Sequence, residues 1–451
     1  MICAMRLTRW LGHPARVIPA VYLAGISVGT GLLLLPWATI EGASAPLIHA
    51  AFTAVSAICI TGLTTVDTAT FWSPFGQFII MALIQVGGFG IVTLASLLTL
   101  VATGRISLQG SLIAGQELRT GFGSVLRVPK MIAIVMLSAE ALTAAVLTLA
   151  FRPYTDGWAS ATWQGVFHSV SSFNNAGFAL YSDNLMGFVG DPAVIVPICV
   201  AVVLGGLGFP VLFEVGRRMF GRGRRTARWS AHTRLTIAGT ISLLVLGAVV
   251  FALAEWNNPR TLGSMPLDDR ALAVFAGAVF PRTAGFNHID YGDASETTLA
   301  LYYVLMFIGG GSAGTAGGIK VGTVGIILAT VAAELRGESQ VVVGSRAIPA
   351  TVQRAALAVV MLGSATVALA TFFILVDDRF TLQQVLFETI SAFGTVGLST
   401  GITPRLRPES LVVLMLLMYM GRVGTVSVAA ALALRTRHRH YVLPEEQPIV
   451  G

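Results

Sequence analysis

The sequence predicts an all-α polytopic membrane protein. It reads as four repeats of transmembrane helix, re-entrant half-helix, glycine loop and transmembrane helix, set with pseudo-fourfold symmetry around a central axis. Three observations predict this plan. Of the 451 residues, 55% are hydrophobic and only 11% charged, where soluble chains average about 25% charged. Long apolar runs reach the roughly 20 residues a membrane-crossing helix needs. Four similar segments place a glycine after a polar stretch at positions 62, 177, 285 and 397, with spacings of 115, 108 and 112 residues. A fixed period of this kind is the signature of repeated units.

The units run as follows. Repeat 1 (1–104) has spans at 17–39 and 75–103, and between them a short apolar stretch at 47–59 and Cys59-Ile-Thr-Gly-Leu-Thr. Repeat 2 (105–232) has spans at 131–151 and 192–215, the stretch 161–173, and Phe173-Asn-Asn-Ala-Gly-Phe. Repeat 3 (233–350) has spans at 234–255 and 297–333, the stretch 270–281, and Arg282-Thr-Ala-Gly-Phe-Asn. Repeat 4 (351–435) has spans at 354–376 and 409–434, the stretch 381–393, and Phe393-Gly-Thr-Val-Gly-Leu. Residues 436–451 form a tail. Each short stretch is too short to cross and return, and has the length of a re-entrant helix. The 49 glycines suit close helix packing and irregular backbone inside a membrane.

Charge placement orients the plan. Of the 29 Lys and Arg, 20 lie in 1–16, 104–130, 216–234, 334–354 and 435–440. The opposite connections carry Asp156, Asp183, Asp191, Glu255, Asp268, Asp269, Asp290, Asp293, Asp377 and Asp378. This is the positive-inside pattern, so the basic segments are cytoplasmic. Eight crossings also put both termini on one side, and the two arguments agree on cytoplasmic termini. The net charge of +7 therefore marks topology, not nucleic-acid binding. The most basic linker, 217–228, reads as a topology signal touching anionic lipid, ahead of a docking site for an acidic partner. Arg6, Arg9 and Arg16 precede an apolar run that reads as the first span, since no small-residue cleavage site follows. Cys3, Cys59 and Cys199 have neither disulfide nor metal spacing.

The loops carry the chemistry. A half-helix ends before each glycine, and its terminal carbonyls hold a partial charge of about half an electron. Four such ends aimed at one cavity favour a cation. Glycine lets the following backbone turn its carbonyls to the axis, and non-helical backbone at this depth must line a cavity. The four half-helices thus become pore helices and the loops a filter. Its candidate ligands are the backbone at Thr61, Gly62 and Leu63; Asn175, Ala176 and Gly177; Thr283, Ala284 and Gly285; and Thr395, Val396 and Gly397. None of these residues is an acid, which favours a monovalent over a divalent ion. Asp67, Asp183, Asp290 and Glu388 either concentrate cations at the outer mouth or are solvated loop acids. Asn174 and Asn175 read as braces of the second loop. Arg282 should point away from the axis and brace the third.

Ile60-Thr-Gly-Leu-Thr-Thr-Val-Asp67, Ser172-Phe-Asn-Asn-Ala-Gly-Phe178, Pro281-Arg-Thr-Ala-Gly-Phe-Asn287 and Gly309 through Lys320 resemble the Trk/Ktr/HKT superfamily of potassium transporters, in particular its KtrB-type ion-translocating subunits. The likeness covers essentially the whole chain. It implies K⁺ as the main substrate and Na⁺ as a candidate second ion, with K⁺ at the filter carbonyls. It also implies a homodimer in a prokaryotic plasma membrane, controlled by a cytoplasmic nucleotide-binding ring of the KtrA type. ATP or ADP would then bind only that partner, and this chain would carry no cofactor. Some relatives have serine in place of the first filter glycine and favour Na⁺; Gly62 points to K⁺.

The sixth span holds the candidate gate. As one helix its roughly 37 residues would extend about 55 Å, against a hydrocarbon core of about 30 Å. Its middle is Gly309, Gly310, Gly311, Ser312, Ala313, Gly314, Thr315, Ala316, Gly317 and Gly318. Glycine costs a helix interior about 1 kcal/mol each, so the helix should break there and line a cavity below the filter. The resemblance assigns this stretch as an intramembrane gate. Ala313 stands where many relatives have proline, which bears on the stiffness of the loop. The Gly309-x-Gly311-x-x-Gly314 spacing is not a dinucleotide fingerprint, since no strand precedes it; no P-loop lysine follows either. Two cations lie in the cytoplasmic halves of their spans. Arg422 reads as a latch donating to gate-loop carbonyls, ahead of a snorkelling residue. Lys320 reads the other way, as a residue reaching the basic cytoplasmic end.

An enzyme needs clustered acids, His or nucleophiles within the spans. Glu140 and Glu214 are the main intramembrane acids and read as partners of buried polar groups or as interface residues. His168 lies in a half-helix, while His438 and His440 lie in the tail. A non-transporting assembly subunit would not need four intact glycine loops.

Overall fold

The structure is a computed structural model and describes residues 14–104, 127–220, 229–376 and 379–424. The 105–126 linker, Arg222 to Arg228, Asp377, Asp378, the end of the last span and the 436–451 tail lie outside the described residues, as do Cys3, His438 and His440.

The chain is built from helices in a recurring order. α1 (Pro14–Leu33), α2 (Leu47–Ile58) and α3 (Pro74–Gly104) come first. α4 (Arg127–Phe151), α5 (Trp158–Phe173), α6 (Pro192–Leu207) and α7 (Phe209–Phe220) follow. Next are α8 (Ala231–Glu255), α9 (Leu267–Val279), α10 (Glu296–Phe307) and α11 (Val321–Leu335). α12 (Ala350–Leu375), α13 (Leu382–Gly394) and α14 (Pro408–Tyr419) complete the set. The one described sheet is a hairpin pairing Val342–Val343 with Arg346–Ala347. The short helices α2, α5, α9 and α13 bury their C-terminal halves almost completely, and each leads into a glycine loop. α4, α8 and α12 turn large apolar side chains outward, among them Leu142, Leu253 and Phe372. That is the surface a helix shows to lipid.

The predicted spans are not all unbroken helices. Among the described residues, α4 with the turn after it, α8 and α12 are long and apolar enough to cross a membrane. α6 and α7 qualify only as a bent pair, with an angle of 104° between them. The straight span expected at 192–215 is therefore corrected. The chain bends at Gly208, whose φ of +90° is open to glycine and strained for other residues. The expected break in the sixth span is present: the helix stops at Phe307 and resumes at Val321. The last span loosens into a π-turn at Met420–Gly424, around Arg422. Such turns frequently mark functional sites.

Candidate ion pathway

Each pore helix ends in the same backbone device. Two residues before each glycine stands a non-glycine residue in left-handed conformation: Ile60, Asn175, Thr283 and Thr395, with φ of +57°, +60°, +68° and +49°. The glycines follow with φ of +92°, +71°, +72° and +100°. A left-handed non-glycine residue costs roughly 1–2 kcal/mol, so four at one register mark an over-determined site. This register places Ile60, not Leu63, level with Asn175, Thr283 and Thr395; Leu63 is level with Phe178, Phe286 and Leu398. Aligning the segments on their glycines exposes the offset.

The strain is held by bonds back to the pore helix. Thr61, Ala176 and Val396 N–H groups donate to the carbonyls of Ser56, Ser171 and Ser391 at 2.8, 2.7 and 2.8 Å. Gly62 and Gly397 N–H groups donate to the Ser56 and Ser391 hydroxyls at 3.0 and 3.1 Å. The Ser171 hydroxyl instead donates to the Phe178 carbonyl at 2.7 Å. The third loop has Val279 at this position. There Ala284 and Gly285 N–H groups share the Phe280 carbonyl at 3.1 and 3.3 Å.

The four loops close on one another. A Cβ on Gly62 would strike the Ala176 carbonyl oxygen, and one on Gly177 the Ala284 oxygen. One on Gly285 would strike the Val396 oxygen, and one on Gly397 the Thr61 oxygen. Each glycine thus abuts the carbonyl just ahead of the next glycine, and the fourth returns to the first. On one side lies an open cavity of about 280 Å³, whose lining includes Gly62, Gly177, Gly397, Asp67, Asp183 and Asp290.

The fourth acid expected at this mouth is elsewhere. Glu388 is buried in α13, where it accepts from Ser399 Oγ at 2.6 Å, Thr400 N at 3.1 Å and Thr403 Oγ1 at 2.8 Å. Burying a carboxylate needs such donors. Asp67 also caps the turn Thr68–Phe71 and accepts from Ser182 Oγ at 2.5 Å. Asn174 donates to Glu140 Oε1 at 2.9 Å, and Gln85 donates to the other Glu140 oxygen at 3.0 Å, so this acid serves the second loop from behind. Glu214 accepts from Ser230 and Thr233.

The segment 308–320 lies on the other side of the ring. Its neck closes through Gly309 N to Ile319 O at 2.8 Å and Val321 N to Gly310 O at 3.0 Å. It packs on the bend of α6 and α7: Gly311 N donates to Gly206 O at 2.7 Å and Thr315 N to Gly205 O at 3.1 Å. Bulkier residues than Gly310, Gly311 and Gly314 would strike the backbone of Gly205 to Gly208. Thr315 Oγ1 lies 3.1 Å from the Phe173 carbonyl and 3.0 Å from Asn175 Oδ1, and Asn175 Nδ2 lies 3.4 Å from Thr283 Oγ1. Gly317 abuts Thr395 Oγ1.

Three cations hold this segment. Arg422, 1% exposed, donates from Nη1 to the Thr315 carbonyl. Lys320 does not extend toward the cytoplasmic end as expected: its Nζ folds back on Ala316 O at 2.6 Å and Gly317 O at 3.2 Å. A buried ammonium requires acceptors, and the loop carbonyls are within its reach. Arg282 turns away from the glycine ring, with Nη atoms 3.4 Å from Thr240 O and 3.5 Å from Gly309 O.

The sequence profile of the TrkH family, described as a cation transport protein, matches residues 23–439. The chain is 37% identical to Ktr system potassium uptake protein B of Bacillus subtilis over 99% of both chains. It is 35% identical to the protein of that name from Vibrio alginolyticus, over 98% of this chain and 95% of that one. Against potassium/sodium uptake protein NtpJ of Enterococcus hirae the identity is 35%, over 97% of each. The fold is similar to the potassium transporter TrkH from Vibrio parahaemolyticus, with a TM-score of 0.73 at 19% identity, covering 93% of this chain and 84% of that one. Glycine loops, broken helices and these likenesses agree: the chain belongs to the TrkH family of cation transport proteins, which are transporters and not enzymes.

Proposed function

We propose that this chain is the ion-translocating membrane subunit of a K⁺ uptake system. K⁺ passes through a filter of backbone carbonyls from the four glycine loops. The segment 309–318, held by Arg422, gates the path below. The observation that carries this reading is the closed succession of glycine-to-carbonyl contacts between loops more than a hundred residues apart. Carbonyl dipoles on one axis replace the hydration shell of a monovalent cation, and four helix C-termini add negative potential.

The rest of the proposal follows the relatives. Proteins named for Ktr potassium uptake support K⁺ as cargo, and the potassium/sodium name of the Enterococcus protein supports Na⁺ as a second ion. A homodimer in the plasma membrane, cytoplasmic termini and control by a KtrA-type nucleotide-binding ring belong to the same reading. The test is K⁺ uptake by cells lacking other K⁺ systems, with and without Na⁺, for the wild type and Gly62→Ser. Wild-type cells should grow on low K⁺, and the substitution should weaken discrimination against Na⁺. No uptake by well-expressed wild type refutes the function. Unaltered discrimination in the variant removes the first loop from the filter.

A further inference from the structure

We infer that Glu388 is a positioning residue for ion selectivity, acting through the backbone that leaves the fourth glycine loop. The inference rests on the filter reading above and adds a residue to it. Glu388 stands nine residues before Gly397, and its carboxylate reaches the N–H of Thr400, three residues beyond that glycine, at 3.1 Å. It also holds the hydroxyls of Ser399 and Thr403. Ser399 lines the mouth cavity beside Gly397. The buried acid thus grips the cavity wall from behind.

The second loop repeats this register with another side chain. His168 stands nine residues before Gly177, is fully buried, and its Nε2 lies 3.4 Å from the N–H of Leu180, three residues beyond the glycine. The other two loops fix the same position differently. In the first, Thr53 occupies the helix position without a partner for its hydroxyl, and His49 Nδ1 meets Thr65 Oγ1 at 2.8 Å. In the third, the helix position is Ala276, and the residue three beyond Gly285 is His288, packed among Phe251, Phe280 and Tyr291. In every loop the third residue past the glycine is anchored. Where that anchor runs from the pore helix to the backbone N–H, it limits how far the glycine carbonyl can swing. Glu388 is the most fully bonded of these anchors: its carboxyl group meets Ser399, Thr400 and Thr403, where His168 Nε2 meets Leu180 alone.

The experiment compares K⁺ and Na⁺ uptake by cells expressing the full chain as wild type, Glu388→Gln and Glu388→Ala, with Gly62→Ser alongside. Gln keeps one acceptor oxygen for Thr400 N and loses the other. The K⁺/Na⁺ uptake ratio should fall in the order wild type, Gln, Ala, with the KM for K⁺ raised about tenfold in Ala and the maximal rate far less altered. If both variants keep the wild-type ratio and KM while Gly62→Ser does not, the filter stands and this inference is overturned. A loss confined to the maximal rate, equal for both ions, overturns it as well. If Glu388→Ala does not reach the membrane, the double variant Ser399→Ala/Thr403→Ala is measured instead. It leaves the acid and removes two of its donors, and it should lower the ratio; an unchanged ratio again refutes the inference.

Discussion

The glycine loops and the segment 308–320 are both non-helical backbone flanked by helices, yet they are held in different ways. Each loop uses one left-handed glycine and is bonded to its own pore helix, five residues back in three of the four by Ser56, Ser171 and Ser391. The segment 308–320 uses six glycines, and apart from its own neck and the Lys320 ammonium its partners are distant in sequence: Gly205 and Gly206 in α6, Asn175 in the second loop, Arg422 after α14. Short-range bonds re-form wherever the pore helix goes. Long-range bonds are lost when either partner moves. Glycine is thus anchored locally in one region and mainly by distant partners in the other, and under the proposed function that difference makes the loops the rigid part and the segment the movable one.

Four substitutions test that contrast, from the largest effect to the smallest. Gly285→Ala forces a side chain into a φ of +72° and against the Val396 oxygen. Strain of about 1–3 kcal/mol should cut K⁺ uptake about tenfold to a hundredfold, read as growth on low K⁺ at matched membrane abundance. Wild-type growth would end the claim that the loops are rigid. Arg422→Ala removes a charged donor from the Thr315 carbonyl. Such a bond is worth about 1.5–3 kcal/mol, so basal K⁺ efflux from proteoliposomes should rise about tenfold or more. Unchanged efflux at normal expression would remove Arg422 from the gate.

Thr315→Val keeps the shape and deletes the hydroxyl that meets Phe173 O and Asn175 Oδ1. About 1 kcal/mol should raise the same efflux about fivefold; no change would mean the segment is not tied to the second loop. Ala313 has a φ of +58°. Replacing it by Gly relieves roughly 1 kcal/mol and should lower basal efflux a few-fold. Ala313→Pro cannot take that φ and should raise it. Equal efflux in both variants would show that the local backbone of the segment does not set its position.

Several of these features were legible in one dimension. The break at 308–320 follows from six glycines in ten residues, because helix propensity is local. The bend at Gly208 follows the same rule, yet Gly205-Gly206-Leu207-Gly208 sits in a run apolar enough to read as a straight span. Asn174 reads as a brace and Glu140 as a partner of buried polar groups because burial of a polar group demands a partner, while Arg282, expected to turn from the axis and brace the third loop, turns away and meets Thr240 O and Gly309 O instead. Which partner was legible only for Arg422. Lys320 lies close to a basic segment in sequence, and only the folded loop shows its carbonyls closer still. Glu388 lies near the mouth in sequence and behind the mouth wall in space.

The sequence by itself determined the membrane class, the helix break at 308–320 and the place of the four glycines. Hydropathy, charge placement and backbone freedom act over a few residues, so they survive being read along a line. Only the tertiary structure decided that each glycine meets the neighbouring loop's carbonyl, and that Lys320 and Glu388 turn to backbone groups of their own loops. The first depends on contacts between loops more than a hundred residues apart; the second depends on which carbonyls, N–H groups and hydroxyls the folded backbone brings within reach of a buried side chain.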